Sequence, residues 1–205
     1  MEENRSNPVS HGKEKAPRHM APEKVEPTGS FMKSLIIDII IAIILASIVL
    51  FFIRPTVVKQ SSMENTLHEN DYMIMYRQAY RTHTPERGDI IIFQSHRVDE
   101  DGDEKLLVKR IIGLPGDKIT IADGMVYIND EEYPEDYLKD GFTPAREVPE
   151  EGESITVPDG SYFAMGDNRV DSLDSRTKEI GFVKASQIQG KIVLRLFPFN
   201  KIRRF

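Results

Sequence analysis

A serine and a lysine are the two residues of this chain whose surroundings could support nucleophilic catalysis. Ser62 lies in the segment SSMENTL, and Lys109 lies in the β-rich segment LVKRII. Alternate residues of a strand share a face, so we expect Lys109 to project from the same apolar face as Leu107 and Ile111. Burial there would favour the neutral amine, which can take the proton of a serine hydroxyl. On this strand alone, the alternative in which the amine reaches solvent along the sheet edge is favoured.

Other candidate groups lie near these two residues in sequence or type. His68 is the only histidine close to Ser62, and it is the one rival for the role of base. The segment GDNRVDSLDSR, residues 166–176, is dense in hydrogen-bonding side chains. It fits either a purely structural turn with an Asp–Arg pair or part of a catalytic site. The histidines have no metal-ligand spacing, and the chain has no cysteine, so we expect no metal and no cofactor.

One long apolar segment precedes these candidates. Leu35–Ile53 would span roughly 28 Å as a helix, close to the hydrocarbon thickness of a bilayer. A buried core helix would keep a polar face, and a cleavable signal peptide would be shorter and would end in a small-x-small site. We therefore predict an uncleaved transmembrane anchor over residues 31–54. Asp38, the one charge within Leu35–Ile53, is given no functional role, and the flanking basic residues do not decide the orientation.

The regions on either side of the anchor differ in kind. Residues 1–30 are rich in charge and proline and lack apolar periodicity, which predicts a disordered tail. The net charge of −6 argues against a nucleic-acid partner. After Pro55 the chain shows short β-rich runs separated by turn residues, and no long amphipathic helix.

The predicted fold class is mainly β: an antiparallel β-barrel or sandwich on a single N-terminal transmembrane helix. Ala122–Gly124 is predicted to be a hairpin turn, and 129–152 an acidic excursion from the core of a domain that covers 55–205. The predicted strands are Thr56–Lys59, Tyr72–Tyr76, Asp89–Gln94, Leu106–Ile112, Lys118–Ile121, Met125–Ile128, Ser154–Val157, Tyr162–Met165 and Lys191–Phe197.

Four segments, in this order, resemble the boxes of the type I signal peptidase family, in its short Gram-positive form. SMENTL is similar to the Ser-Met-x-Pro-Thr-Leu box, and RGDIIIF to the Arg-Gly-Asp-strand box. VKRIIGLPGD resembles the lysine box, and GDNRVDSLDSR the Gly-Asp-Asn-Arg box. The resemblance covers residues 31–205. Four ordered boxes behind one anchor are a specific signal, whereas any single box is a weak one.

The resemblance implies a role for each matched residue. Ser62 would be the nucleophile and Lys109 the general base of a Ser–Lys peptidase. Ser172 would hydrogen-bond the lysine amine and orient it, and Asp174 and Arg176 would form a supporting ion pair.

Two positions depart from the family pattern. Gln60 stands where short members carry glycine and others serine, at a position that helps Ser62 build the oxyanion hole. Asn65 stands where the family usually has proline.

The resemblance also implies how substrate binds. Thr56–Ser61 and Leu106–Lys109 would flank an extended preprotein segment that adds as a strand. Their apolar side chains would form shallow pockets for small residues, which gives the Ala-x-Ala preference at positions −3 and −1. The expected substrate-binding residues are Val58, Met63, Leu107 and Val108.

These implications extend to partners and location. The expected partners are secretory preproteins, the lipid bilayer and the secretion translocon. Residues 1–30 would be cytoplasmic and the β domain extracytoplasmic, in the plasma membrane. Two alternatives stay open. A repressor-type self-cleaving Ser–Lys protease shares the chemistry but would not carry a membrane helix. A non-catalytic anchored β domain has only Gln60 and Asn65 in its favour.

Overall fold

The computed structural model describes residues 28–98, 102 and 104–205, so most of the tail expected over 1–30 lies outside the described residues. Over these described residues a single α-helix, α1, is followed by short strands and 3-10 turns. The elements are α1 Thr28–Phe52, β1 Ile53–Val57, β2 Tyr72–Tyr76, β3 Ile90–Val98, β4 Glu104–Gly113, β5 Lys118–Ala122, β6 Met125–Ile128, β7 Glu131–Glu132, β8 Ser154–Thr156, β9 Ser161–Met165, β10 Val183–Lys184, β11 Ile188–Phe197 and β12 Arg203–Arg204.

The apolar segment forms one continuous helix. Its part Phe31–Phe52, 22 residues long, has the length and composition needed to cross a membrane. The chain divides into two units at Ile43, and the second unit, Ile44–Phe205, contains all the described strands. A single N-terminal apolar helix before a β domain is consistent with a membrane-anchored protein.

The strands form two antiparallel sheets. The larger has eight strands in the order β1-β2-β11-β3-β4-β9-β10 with β12 on β11, and the smaller has four in the order β7-β6-β5-β8. The mainly antiparallel β class predicted from the sequence is confirmed. Each of the nine predicted strands overlaps an observed one. The two-residue strands β7, β10 and β12 were not predicted, because alternation cannot be recognised over two residues.

The turn between β5 and β6 is the predicted hairpin. Asp123 and Gly124 have φ values of 52° and 77°, which is the left-handed backbone of a two-residue type I′ turn. Ala122 pairs with Met125 across this turn.

Strand β3 is buried on both faces at its start. Ile90 and Ile92 pack in one core cluster, while Ile91 and Phe93 pack in another. Lys109 of β4 is paired with Ile91, so its side chain lies on the same face as Ile91. Register and pleat therefore place this lysine against an apolar core.

A buried ion pair joins β11 to the chain that precedes β2. Arg195 Nη1 donates to the Asp71 carboxylate at 3.0 Å and to the carbonyl of Thr66 at 3.0 Å. The two side chains are 8% and 4% exposed. Because Thr66 follows Ser62 closely, this pair fixes the far end of the segment that carries the serine.

We predict that Asp71→Asn lowers the free energy of unfolding by about 3 kcal/mol, because it leaves the buried Arg195 cation without its counter-charge. The measurement is denaturant unfolding of the full chain in detergent. Asp130→Asn is the matched control, because the Lys118–Asp130 pair is exposed and should contribute less than about 1 kcal/mol. Equal losses in the two variants would contradict the prediction.

Candidate active site

Ser62 and Lys109 meet in the folded domain. Ser62 lies in the 3-10 turn Ser61–Met63, and Lys109 lies in the middle of β4. Lys109 Nζ and Ser62 Oγ are 2.6 Å apart, within hydrogen-bonding distance. The two residues are only 1% and 8% exposed. The arrangement is a hydroxyl with an amine as its immediate, desolvated neighbour.

Burial changes the protonation of the lysine. It lowers the pKa of Lys109 from 10.5 to about 8, an effect that Asp174 and Asp167 oppose and Arg176 reinforces. Lys109 is buried because it alternates along the strand with Leu107 and Ile111, whose side chains are buried on the same face. A neutral amine is therefore present at mildly alkaline pH and can accept a proton from Ser62 Oγ.

The turn around Ser62 is held by its neighbours. Met63 and Leu67 are buried in the core, and the amide of Leu67 donates to the carbonyl of Met63 at 2.8 Å. Asn65 has a φ of 96°, a conformation that asparagine tolerates and proline cannot adopt. Asn65, which stands where the family pattern has proline, therefore has a left-handed backbone that proline could not adopt.

Residues 166–176, here called the site loop, lie directly against the serine. The amide of Asn168 donates to the carbonyl of Ser62 at 3.0 Å, and Asn168 Nδ2 donates to the carbonyl of Ser61 at 3.2 Å. Ser61 Oγ donates to Asp171 Oδ2 at 3.1 Å. A Cβ on Gly166 would lie 2.3 Å from the carbonyl oxygen of Ser62, so only glycine allows this approach.

The loop is tied to β4 through an ion pair on the face opposite to Lys109. Arg110 donates to both carboxylate oxygens of Asp167, Nε at 2.9 Å and Nη2 at 2.6 Å. Thr66 Oγ1 donates to the same carboxylate. Arg110 also lies 4.1 Å above the ring of Tyr137. The residue after the lysine therefore anchors the site loop and the segment that follows Ser62.

The expected pair of Asp174 and Arg176 is formed inside the loop. Arg176 donates to both oxygens of Asp174, at 2.9 and 2.8 Å, and neither side chain is exposed. Burial acts to raise the pKa of Asp174, but the hydrogen bonds and charge of Arg176 outweigh it and lower the pKa. The amide of Gly166 donates to Asp174 Oδ2 at 3.0 Å, so this carboxylate also holds the glycine next to Ser62.

Ser172 is buried in the site without the contact expected of it. Its Oγ forms no hydrogen bond of ordinary geometry with any described residue, and the expected bond to the Lys109 amine is not present. It lies close enough to Asp174 to help lower the pKa of that carboxyl. Its orienting role therefore stays a prediction.

A cleft of about 390 Å³ opens beside Ser62 and Lys109. Gln60 and Leu107 line it, together with Leu173 and Asp171 of the site loop. The cleft is also lined by four further charged residues, Lys59, Glu69, Arg97 and Lys105.

Three of the residues expected to contact substrate are not among those that line this cleft. Val58 and Met63 are buried in the core, and Val108 packs against the same cluster. Val108 points away from the face that carries Leu107 and Lys109, because successive side chains of a strand point to opposite faces. Met63 is turned inward by the 3-10 turn that presents Ser62.

Among the described residues, no hydrogen bond joins the rival base, His68, to the Ser62 hydroxyl. His68 Nδ1 lies 3.1 Å from Glu64 Oε1 in an exposed pair. Within the described part of the chain, no three His, Asp or Glu side chains converge in a way that could hold a metal ion.

The sequence profile of the family described as signal peptidase, peptidase S26, matches residues 31–197. A signal peptidase I of Bacillus licheniformis is 36% identical over 183 residues, 85% of this chain and 91% of that protein. Signal peptidase I U of Bacillus subtilis (strain 168) is 37% identical over 172 residues, 81% of this chain and 87% of that protein. The chain belongs to the signal peptidase family. A crystal structure of a signal peptidase I from Enterococcus faecalis is 36% identical, covers 53% of this chain and 96% of that chain, and has a TM-score of 0.42.

Membership confirms the family expected from the four boxes and makes the chain a signal peptidase I enzyme. It supports the removal of signal peptides as the reaction. Three residues that contact the site loop were not found from the sequence of this signal peptidase. Glu135, Tyr137 and Thr143 all bind Arg169, from within the segment expected to leave the core. Their spacing shows no period, so no local pattern could have identified them.

We predict that Gly166→Ala reduces preprotein cleavage by about a hundredfold or more, because its Cβ would displace the backbone of Ser62 and misplace the hydroxyl. The measurement is cleavage of a signal-peptide-bearing preprotein by the full chain in detergent. Gly160→Ala is the control: the space around Gly160 is open, and its φ of 68° strains alanine without touching the site. Equal activity in the two variants would show that the close approach at Gly166 is dispensable.

Proposed function

We propose that this signal peptidase is a membrane-bound serine endopeptidase that cleaves signal peptides from secreted preproteins through a Ser62–Lys109 dyad. The observation that carries the proposal is the 2.6 Å contact between the buried Lys109 amine and the Ser62 hydroxyl. The profile match over residues 31–197 favours this function over a repressor-type self-cleaving protease and over a non-catalytic β domain.

The proposed reaction begins with proton transfer. Neutral Lys109 accepts the proton of Ser62 Oγ as the oxygen attacks the carbonyl carbon of the −1 residue. The tetrahedral intermediate collapses, the ammonium of Lys109 protonates the leaving amine, and an acyl-enzyme forms on Ser62. Lys109 then activates the water that hydrolyses the ester, and Ser62 regains its proton. The burial that lowers the lysine pKa supports this dual role.

The oxyanion is assigned to the backbone amide of Ser62 and to Gln60. Gln60 has an extended backbone and lines the cleft beside Ser62. Its side-chain amide is a donor of the kind that stabilises charge developing on a scissile carbonyl. In this proposal Gln60 takes the place of the glycine of short members, or the serine of others, in the family pattern.

Substrate is proposed to add as a strand to β4. Leu106–Lys109 pair with β3 on one side, whereas β9 pairs with β4 only from Arg110 onward. Among the described residues, no strand pairs with the other edge of Leu106–Lys109, which lies beside the cleft and suits an extended peptide. Leu107 faces the cleft and would contact small side chains near the scissile bond, in keeping with Ala-x-Ala sites. Val58, Met63 and Val108 would support this surface from the core side.

The membrane arrangement follows from the same reaction. We propose that Phe31–Phe52 spans the plasma membrane, with the N-terminal residues cytoplasmic and the β domain on the outer face. Signal peptides in transit expose their cleavage sites on that face. The lipid bilayer, secretory preproteins and the secretion translocon are the proposed partners.

The dyad is tested by Ser62→Ala and Lys109→Met. We expect each to lower kcat for preprotein cleavage by at least about a thousandfold, because either change removes the activated nucleophile. Lys184→Met, an exposed strand lysine away from the cleft, is the matched control and should retain activity. Cleavage that survives in Lys109→Met would exclude Lys109 as the base.

The pH profile gives an independent test. Only the neutral amine is a base, and the pKa of Lys109 is lowered to about 8. We therefore expect kcat/KM to be low below pH 8 and to rise as the pH passes through about 8. The profile is measured with the full chain in detergent on a preprotein whose own charge does not change between pH 6 and 9. An acid limb centred near the ordinary lysine pKa of 10.5 would contradict the desolvated base.

A further inference from the structure

A buried arginine that the reaction does not use lies at the centre of the site loop. All five N–H donors of Arg169 are occupied, and the residue is 3% exposed. Nε donates to the carbonyl of Gly166 at 3.0 Å. Nη1 donates to Glu135 Oε2 at 2.6 Å and to Thr143 Oγ1. Nη2 donates to Glu135 Oε1 at 2.6 Å and to the Tyr137 hydroxyl at 3.0 Å.

Four of these five contacts come from one stretch of chain, residues 133–146, here called the strap. The carboxylate of Glu135 is the centre of the strap. Besides its two bonds to Arg169, it accepts hydrogen bonds from the Tyr137 hydroxyl at 2.7 Å and from Thr143 Oγ1 at 2.8 Å. The side chains of Arg169 and Glu135 are 2% and 8% exposed, and Thr143 is fully buried. Such a complete arrangement around a buried ion pair is costly to disturb.

Arg169 passes this restraint on to the residues next to the serine. Its Nε holds the carbonyl of Gly166, the residue that packs against the carbonyl of Ser62. Its own carbonyl accepts a bond from Arg176 Nη2 at 2.8 Å, and Arg176 Nη1 donates to the strap at Pro144. Two of these bonds therefore hold carbonyls within the site loop, and the third joins the loop to the strap.

We propose that Glu135 is a positioning residue for the reaction: by clamping Arg169, it keeps the site loop seated against Ser61 and Ser62. The proposal rests on the Ser62–Lys109 function described above. The strap supplies no residue to the cleft beside Ser62. Loss of the clamp should therefore affect the chemical step far more than substrate binding, to which the loop contributes only Asp171 and Leu173.

The clamp also acts on the surroundings of Lys109. The charged groups that face this amine are Asp174, Arg176 and Asp167, and all three belong to the site loop. A loop released by the strap would admit water to the amine and restore part of its hydration. The acid limb of the pH profile would then move toward higher pH.

The test uses Glu135→Gln in the full chain in detergent, with kcat and KM for preprotein cleavage measured across pH. We expect kcat to fall about tenfold, KM to change by less than about twofold, and the acid limb to move to higher pH. Glu132→Gln, which changes an exposed glutamate of β7 just before the strap, is the matched control and should behave as the unaltered enzyme.

A milder variant covers the case in which Glu135→Gln does not fold. Tyr137→Phe keeps the ring beneath Arg110 and removes only the hydroxyl shared by Glu135 and Arg169. We expect about a threefold fall in kcat, because the carboxylate loses one of its restraints.

Three outcomes decide the proposal. An unchanged kcat and pH profile in folded Glu135→Gln, or in Tyr137→Phe where the former does not fold, overturns it even if the melting temperature falls. An inactive Ser62→Ala measured alongside shows that the proposed function stands in that case. Cleavage retained by Ser62→Ala overturns the proposed function and the positioning role together.

Discussion

Lys109 is enclosed by protein while its amine lies 2.6 Å from the Ser62 hydroxyl. An ammonium group removed from water is costly unless it is paired or loses its proton. The Asp174 and Asp167 carboxylates are near, but each is engaged by an arginine, Arg176 or Arg110. In the part of the chain that the structure describes, the lysine consequently has no carboxylate partner of its own, and desolvation is the largest effect on its pKa. The arrangement keeps the base poised for proton transfer.

Strand β4 positions both the buried lysine and the arginine that holds the site loop. Lys109 and Arg110 are consecutive, so the pleat directs their side chains to opposite faces. One face presents the base to the serine. On the other, Arg110 holds Asp167 of the site loop and stacks on Tyr137 of the strap. A shift of β4 would therefore move the base and the loop together.

Three arginine–carboxylate pairs lie around the site, and they contribute more to the positions of its segments than to the free energy of folding. Buried ion pairs contribute little net stability, because desolvation offsets their attraction, but they specify one arrangement when every donor and acceptor is satisfied. Arg110–Asp167 fixes the loop to β4, Arg176–Asp174 fixes it internally, and Arg169–Glu135 fixes it to the strap.

Local pattern was enough to predict the apolar helix, the hairpin at Asp123 and the face of β4 that carries Lys109. These follow from hydrophobic length, turn chemistry and a period of two, all of which operate within a few residues. The ordered boxes added the family. The tertiary structure alone decided that Met63 is turned into the core, and that Glu135 reaches Arg169 across 34 positions of chain. Such contacts form between segments that are distant in sequence. The residue pattern within one segment does not indicate which side chain of another segment will contact it.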